Sequence, residues 1–225
     1  MSQQLREEFN RWAADGRGEE MEVHHSSIAA QTIERMKLLP GDTVLDLGCG
    51  AGWASRLMAQ MVSPSLVIGV DVSDQMVARA TAASEHCENV RFVAGSAEEL
   101  PVDSGSIVKA LSIESFYYYE DQHKAMRELY RVLAPAGQIF ILINLYRDNP
   151  YSLRWVDELK VPVQVHSEAE YLIHFAEAGF ENVRSERIPD LTPTPDEYSG
   201  RWFANAEEMR EFKRIGALLI TASRP

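Results

Sequence analysis

Residues 44–52 read Val-Leu-Asp-Leu-Gly-Cys-Gly-Ala-Gly, and this stretch decides the fold. An apolar run ends at Leu47, three glycines follow at alternate positions, and a helical pattern begins at Trp53. Glycine adopts positive φ freely and lets the backbone approach a ligand closely. The N-terminus of the following helix presents free N–H groups and a partial positive charge. The stretch therefore predicts a strand, a turn and a helix that bind a ligand at the turn.

Strands and helices alternate around this turn. Apolar strands are predicted over residues 43–47, 66–70, 90–94, 106–113, 138–145, 180–188 and 216–223, and helices over 53–61, 74–87, 122–133, 167–178 and 206–213. This alternation is typical of right-handed crossover units in a parallel sheet with helices on both faces. The Val/Ile/Leu-rich strands fit burial on both faces. The pattern predicts an α/β fold in a single domain over residues 1–225.

Two segments are predicted to decorate the sheet, namely an N-terminal helical cap over residues 1–40 and an insertion over 190–213 before the last strand. Within the cap, apolar residues at helical spacing predict one helix over the first dozen residues and another over 28–39. The glycines of residues 15–18 are predicted to end the first helix. His24 and His25 are thereby placed between the two helices.

Composition restricts the function. The chain has 22 Lys and Arg against 34 Asp and Glu, a formal net charge of −12, which disfavours nucleic acid and anionic membranes as partners. No signal peptide and no membrane-length apolar run is visible, so a cytoplasmic location without stable membrane association is expected. The two cysteines and the six histidines show no metal-ligand spacing, and no metal is predicted.

A second signal is Asp71, which follows the second strand 71 − 52 = 19 residues after the last glycine. An acid at about this distance binds ribose hydroxyls in open α/β sheets, which indicates a nucleoside-containing cofactor. The dinucleotide pattern G-x-G-x-x-G fails because Trp53 occupies its third glycine position. Asp46, directly before the turn, suits a cationic ligand better than a pyrophosphate.

Residues 46–52 resemble the first motif of the class I S-adenosylmethionine (SAM)-dependent methyltransferases. Later motifs of that family resemble, in order, residues 69–76, 92–101, 131–137 and 178–183, so the resemblance spans roughly residues 40–188. It is strongest to the branch with ubiquinone/menaquinone, sterol and other small-molecule methyltransferases. The resemblance implies a Rossmann-like seven-stranded, mostly parallel sheet with an antiparallel last strand. Two positions depart from the pattern: Ser96 replaces a frequent Asp, and Ala136 replaces a Gly.

The resemblance implies a set of cofactor-binding residues: Asp46, Gly48, Cys49, Gly50, Asp71, Val72, Met76, Ala97, Glu98 and Ile113. It places Asp46 near the amino group of SAM, Asp71 at the ribose, and Val72 and Met76 against the adenine. Ala97 and Glu98 would lie at the adenine edge. Ile113 would face the sulfonium and the methyl group.

Catalytic candidates lie at the same predicted edge of the sheet. A base is needed only where the acceptor must lose a proton, and His25, Glu114 and Tyr117 are the candidates. The alternative interpretation is a surface or capping histidine and a core-packed tyrosine. Trp155 and residues 198–203 are predicted to shape the acceptor site as a mobile wall, or else to pack against the sheet.

The expected reaction is in-line displacement, in which a small-molecule acceptor attacks the SAM methyl group and S-adenosylhomocysteine leaves. The expected assembly is a monomer or a homodimer. One alternative is a SAM-binding sensor or accessory protein without catalysis. Another is a nicotinamide oxidoreductase, which the glycine spacing and the lack of a Tyr-x-x-x-Lys motif oppose.

Overall fold

The computed structural model describes residues 3–225, apart from the side chain of Glu19. Its strands are β1 (Val44–Leu47), β2 (Val67–Asp71), β3 (Val90–Ala94), β4 (Ile107–Ile113), β5 (Leu133–Ile143), β6 (Glu181–Ile188) and β7 (Ala217–Ser223). They form one sheet in the order β3-β2-β1-β4-β5-β7-β6. The pairs from β3 to β5 are parallel, and β7 is antiparallel to β5 and β6. The predicted Rossmann-like sheet with its antiparallel last strand is confirmed.

The helices are α1 (Gln3–Ala14), α2 (Arg17–Met36), α3 (Trp53–Val62), α4 (Asp74–Ala83), α5 (Gln122–Val132), α6 (Pro150–Leu153), α7 (Glu168–Glu177) and α8 (Ala206–Ile215). A 3-10 turn, Phe116–Tyr118, follows β4. No helix within the described residues combines the length and apolar character that a membrane crossing requires.

The inner strands of the sheet are mostly apolar and are buried on both faces. All residues of β1 and β2 are buried. Alternate side chains enter two separate cores: Leu45 and Ile141 pack with α5 and α7 on one face, and Val44 and Phe140 pack with α2 and α3 on the other. This arrangement fixes the register of each strand, since a slip of one residue would exchange the two faces.

The strand order reverses between β1 and β4. β1 pairs with β2 on one side and with β4 on the other, both in parallel. A crevice opens at such a reversal, at the carboxyl ends of the strands, and ligands bind there in open α/β sheets. The glycine turn after β1 and Glu114 after β4 lie at this point.

The N-terminal prediction is wrong in one respect. Gly16, with φ of 76°, separates α1 from α2, but α2 begins directly at Arg17 and runs without a break to Met36. His24 and His25 therefore lie within α2 and not between two helices. Gly18, predicted to break the chain, is helical and packs closely on the glycine turn, since a Cβ there would be 3.0 Å from Ala51.

Other boundaries differ by a few residues. β5 begins at Leu133, five residues before the predicted start at Gln138, because it first pairs with Ile107 across an irregularity in the register. α4 ends at Ala83, four residues before Cys87, since the following chain turns through residues 84–87.

Two hydrogen bonds fasten the segment after β6 to α2. Gln31 Nε2 donates to the carbonyl of Pro189 at 2.9 Å, and the N–H of Leu191 donates to Ser27 Oγ at 3.1 Å. The predicted cap and the predicted insertion therefore meet above the carboxyl edge of the sheet.

Candidate active site

The glycine turn depends on backbone conformations with positive φ at Gly48 and Gly50. Gly48 has φ of 77° and donates its N–H to Val70 at 2.7 Å. A Cβ at Gly48 would collide with the side chain of Ser115. Gly50 also has a positive φ, of 51°, but a Cβ there would meet no atom within 4 Å. The turn therefore presents its backbone, at Gly50, to open space.

Asp71 ends β2 and joins it to the turn. One carboxylate oxygen accepts the N–H of Gly50 at 2.9 Å, and the other accepts the N–H of Ser73 at 2.9 Å. Burial raises the pKa of Asp71, and these backbone donors oppose the rise. Each oxygen retains a second lone pair, which a ligand hydroxyl can use.

Asp46 lies deeper, at 2% exposure, within β1. Its carboxylate accepts a hydrogen bond from Ser55 Oγ at 2.5 Å. Burial raises the pKa of Asp46 to about 6, and nearby Asp71 adds to the rise. A cationic group beside Asp46 would lower this pKa again, since an opposite charge favours the ionised carboxylate.

The residues predicted at the adenine lie on the loops after β2 and β3 and in the first turn of α4. Met76 is buried in α4, and its backbone N–H is capped by Ser73 Oγ at 3.0 Å. Ser96, which replaces the frequent Asp, donates its hydroxyl to Glu98. The other oxygen of Glu98 accepts the N–H of Glu120 at 3.1 Å. Glu98 thus also holds its loop against the start of α5, a role that the motif did not indicate.

Glu114 is the most strongly constrained candidate for a base. It follows β4 with φ of 52°, a conformation that non-glycine residues rarely adopt. One carboxylate oxygen accepts the N–H of Asn144 at 2.5 Å, and the other accepts the hydroxyl of Tyr117 at 3.1 Å. Burial raises the pKa of Glu114 to about 7, against these two donors. A carboxyl group that titrates near neutrality is suited to exchange a proton.

The other two candidates titrate far from neutrality. Burial lowers the pKa of His25 to about 4, with His24 adding to the fall and Asp190 opposing it. Burial, with the neighbouring Glu114, raises the pKa of Tyr117 well above its ordinary value. His25 is therefore neutral at pH 7, and Tyr117 is a hydrogen-bond donor.

One cavity of about 440 Å³ brings these residues together. All thirteen predicted site residues line it: His25, Asp46, Gly48, Cys49, Gly50, Asp71, Val72, Met76, Ala97, Glu98, Ile113, Glu114 and Tyr117. Its volume lies within the range of small-molecule sites. Within the described residues, no group of three or more His, Cys, Asp or Glu side chains is placed to hold a metal ion.

Trp155, Trp202, Phe203 and Phe212 form an aromatic wall that lines part of the cavity. The Trp155 ring centroid lies 6.0 Å from Trp202, 6.0 Å from Phe203 and 5.1 Å from Phe212. The Trp155 indole N–H donates to the carbonyl of Trp202 at 3.1 Å. Trp155 and residues 201–203 therefore line the cavity together with Phe212 of α8, a residue that the sequence did not point to.

Helix α1 supplies a second set of aromatic rings. Phe9 and Trp12 lie with ring centroids 5.1 Å and 6.2 Å from that of Tyr118, both edge to face. Asn10 accepts the Ser73 hydroxyl at 2.6 Å, which ties α1 to the cap of α4. The sequence did not identify Phe9 and Trp12 as cavity residues. Their helical spacing predicted a helix with one apolar face, but not that this face packs against Tyr118.

Comparison with known proteins agrees with this geometry. A family described as a methyltransferase domain matches residues 45–141. A chain in the solved complex between the Haloferax volcanii Trm112 methyltransferase activator and the putative methyltransferase is 33% identical, with a TM-score of 0.91, and the match covers 97% of this chain and 98% of that one.

Two curated relatives match over shorter stretches. Arsenite methyltransferase of Halobacterium salinarum is 39% identical over 46% of this chain, and 27-O-demethylrifamycin SV methyltransferase of Amycolatopsis mediterranei is 30% identical over 70% of it. The matches span 27% and 60% of the length of those two relatives. The chain belongs to the class I SAM-dependent methyltransferases, the family whose methyl donor is SAM.

Proposed function

We propose that this protein transfers the methyl group of SAM to a small-molecule acceptor by in-line displacement, with release of S-adenosylhomocysteine. The observation that carries the proposal is that one cavity joins the glycine turn and Asp71 to the Glu114–Tyr117 pair and to an apolar aromatic wall. A donor site and an acceptor site in this cavity would be adjacent. The names of the two curated relatives give arsenite and a rifamycin as acceptors, and both are small molecules.

The residues present fit SAM. The open space at Gly50 can take a ligand against the backbone. The lone pairs that Asp71 keeps beyond its backbone donors would accept hydrogen bonds from ribose hydroxyls. Asp46 suits the ammonium group of the methionine moiety. When bound, SAM supplies a methyl group activated by a positively charged sulfur.

The protein's own contribution is position, exclusion of water and removal of a proton. Helix α1 and the aromatic wall shield the cavity, and they hold an acceptor near the ends of β1 and β4. Glu114 takes the acceptor's proton where one must leave, and Tyr117 keeps the carboxylate oriented through its hydroxyl. His25, neutral in α2, lines the same cavity and would accept a hydrogen bond from the acceptor.

Thermal unfolding tests the donor site first. A ligand that binds only the folded state raises its stability. We expect S-adenosylhomocysteine and SAM to raise the midpoint temperature of unfolding and NAD to leave it unchanged. A rise with NAD alone would instead favour the nicotinamide oxidoreductase.

Turnover separates the enzyme from a non-catalytic SAM-binding sensor. Formation of S-adenosylhomocysteine from SAM is to be measured with a panel of small apolar hydroxyl, thiol and amine acceptors. Product that depends on one acceptor supports the proposal. Binding of S-adenosylhomocysteine without turnover on any acceptor would favour the sensor.

We also infer a protein partner of the Trm112 type. The similarity to the Haloferax chain extends over nearly the whole of both chains, and that chain is in a complex with the activator. Size-exclusion chromatography of this protein mixed with the Haloferax Trm112 is expected to give a 1:1 complex. Separate elution at micromolar concentrations would contradict the inference.

A further inference from the structure

A second cavity, of about 110 Å³, adjoins the active-site cavity. Five residues line both cavities: Trp12, Arg17, Leu159, Arg201 and Trp202. They come from α1, from the first turn of α2 and from the segments after β5 and β6. These residues therefore form one rim where the two cavities meet.

The rim holds two guanidinium groups stacked on indole rings. The guanidinium carbon of Arg17 lies 4.8 Å from the Trp12 ring centroid, and that of Arg201 lies 4.3 Å from the Trp202 ring centroid. In the described part of the chain, neither side chain forms an ion pair or donates a hydrogen bond. Stacking fixes the plane of each guanidinium and leaves its edge of N–H donors free for a planar or tetrahedral anion.

The remaining charges of the small cavity do not neutralise this pair. Glu8 is already engaged, since it accepts the Trp12 indole N–H at 2.9 Å and pairs with Arg11. The other charged residues that line it are Asp15, Glu158 and Lys160. The local balance beyond the Glu8–Arg11 pair is thus three cations against two anions, in a chain whose net charge is −12.

The polar groups belong to different parts of the lining. Glu114, at the end of β4, lines the active-site cavity alone, whereas Arg17 and Arg201 line both cavities. Aromatic rings, among them Trp155 and Phe203, also line the active-site cavity. A molecule that extends from Glu114 to the rim meets a carboxyl group, apolar walls and two guanidiniums.

We propose that the methyl acceptor carries an anionic group, a carboxylate or a phosphate, at the end of its apolar body remote from the methylated atom, and that Arg17 and Arg201 bind this group. The proposal deepens the proposed function and rests on it. It names the substrate class as an apolar or aromatic acid with a methylatable group at its far end.

Calorimetric titration with matched probes tests the proposal. The probes are 4-phenylbutanoate, 4-phenylbutyl phosphate and 4-phenylbutan-1-ol, each titrated into the protein saturated with S-adenosylhomocysteine. We expect at least one anionic probe to bind about tenfold or more tightly than the alcohol, as charge-assisted hydrogen bonds allow. The carboxylate and phosphate arms identify which anion the site prefers.

Paired variants assign the preference to the two arginines. R17Q/R201Q is expected to bind the anionic probes no more tightly than the alcohol, while R17K/R201K retains part of the preference. R127Q/R210Q, which removes the same charge at exposed sites lining neither cavity, is expected to behave as the wild type. Retention of the full preference in R17Q/R201Q would overturn the proposal.

The affinity for S-adenosylhomocysteine separates failure of this proposal from failure of the proposed function. It is expected to be equal in the wild type and in R17Q/R201Q. A loss of that affinity in the double variant without a change in probe preference would assign the arginines to the donor and overturn the proposal. Normal binding of S-adenosylhomocysteine with no binding of any probe would also overturn it, but would leave the proposed function standing. No binding of S-adenosylhomocysteine by the wild type would contradict the proposed function itself.

Discussion

The carboxylate of Asp71 accepts the backbone N–H of Gly50 at 2.9 Å, across 21 residues of sequence. The bond joins the acid at the end of β2 to the glycine turn after β1, so one side chain both shapes the turn and lines the cavity. A second bond, from the N–H of Ser73 at 2.9 Å, fixes the carboxylate from the other side. The two sequence signals therefore form one structural unit.

Asp71→Ala is expected to weaken binding of S-adenosylhomocysteine by about 1–3 kcal/mol, because hydrogen bonds to a charged group are lost. Isothermal titration calorimetry measures the change. Asp103→Ala removes the same charge from an exposed position that lines neither cavity and is the matched control. Equal affinity in wild type and Asp71→Ala would contradict the ribose assignment.

Glu114 is expected to make stability depend on pH. Its pKa is raised by burial from 4.5 to about 7, so the folded state holds a proton that the unfolded state has released between those values. The free energy of unfolding therefore falls as pH rises through this window. When the pH rises from 5 to 8, the free energy of unfolding is expected to fall by about 2 kcal/mol less in Glu114→Gln than in the wild type.

Urea unfolding at both pH values measures this difference between the two proteins. Glu177→Gln, at an exposed position in α7, is the control and is expected to show the wild-type slope. Parallel pH profiles for wild type and Glu114→Gln would show that Glu114 titrates normally.

Tyr117→Phe is expected to shift the pH dependence of methyl transfer upward. The Tyr117 hydroxyl donates to Glu114 at 3.1 Å and stabilises the ionised carboxylate. Loss of about 1 kcal/mol of this stabilisation raises the midpoint by about 0.7 pH unit. The kcat/KM profile from pH 5 to 9 measures it, and Tyr130→Phe serves as the control because Tyr130 contacts Phe180 instead. A downward shift or an unchanged midpoint would exclude Glu114 as the base.

Lys213 is expected to stabilise the wall of the cavity. Its ammonium, in a side chain only 8% exposed, pairs with Asp190 at 3.5 Å and donates to Thr192 Oγ1 at 2.7 Å. Lys213→Ala leaves Asp190 without this partner and is expected to destabilise the fold by about 3 kcal/mol. Denaturant unfolding measures the loss of stability, and Lys124→Ala, at an exposed position, is the control. Equal stability of the two variants would contradict a structural role for the Lys213–Asp190 pair.

The central sheet could be predicted from sequence because its strands are apolar on both faces and each is followed by a turn with distinct chemistry. Glycine spacing and the position of Asp71 predicted a site at the carboxyl edge of the sheet, where the structure has its cavity, since both depend on local geometry. The boundary of α2 could not be predicted in this way. Glycine at position 18 predicts the end of a helix, because glycine disfavours helices. Its close contact with Ala51, which fits a residue without a side chain, arises only once the sheet has folded.

The contacts of Glu114 and of the aromatic wall could not be predicted, for a related reason. The bond from Asn144 to Glu114 joins residues 30 positions apart, and Phe212 reaches Trp155 across most of the last third of the chain. No spacing rule connects such residues, because their proximity depends on how two irregular segments pack against each other. Only their aromatic or polar character was visible in the sequence.

The bonds from Gln31 to Pro189 and from Leu191 to Ser27 have a consequence for how this scaffold diversifies. The glycine turn and Asp71 come from the sheet, whereas α2 and the chain after β6 line another part of the cavity. A graft of either segment alone from a relative would replace one partner of each bond. The two segments are therefore expected to tolerate replacement best as a pair, each adapted to the other.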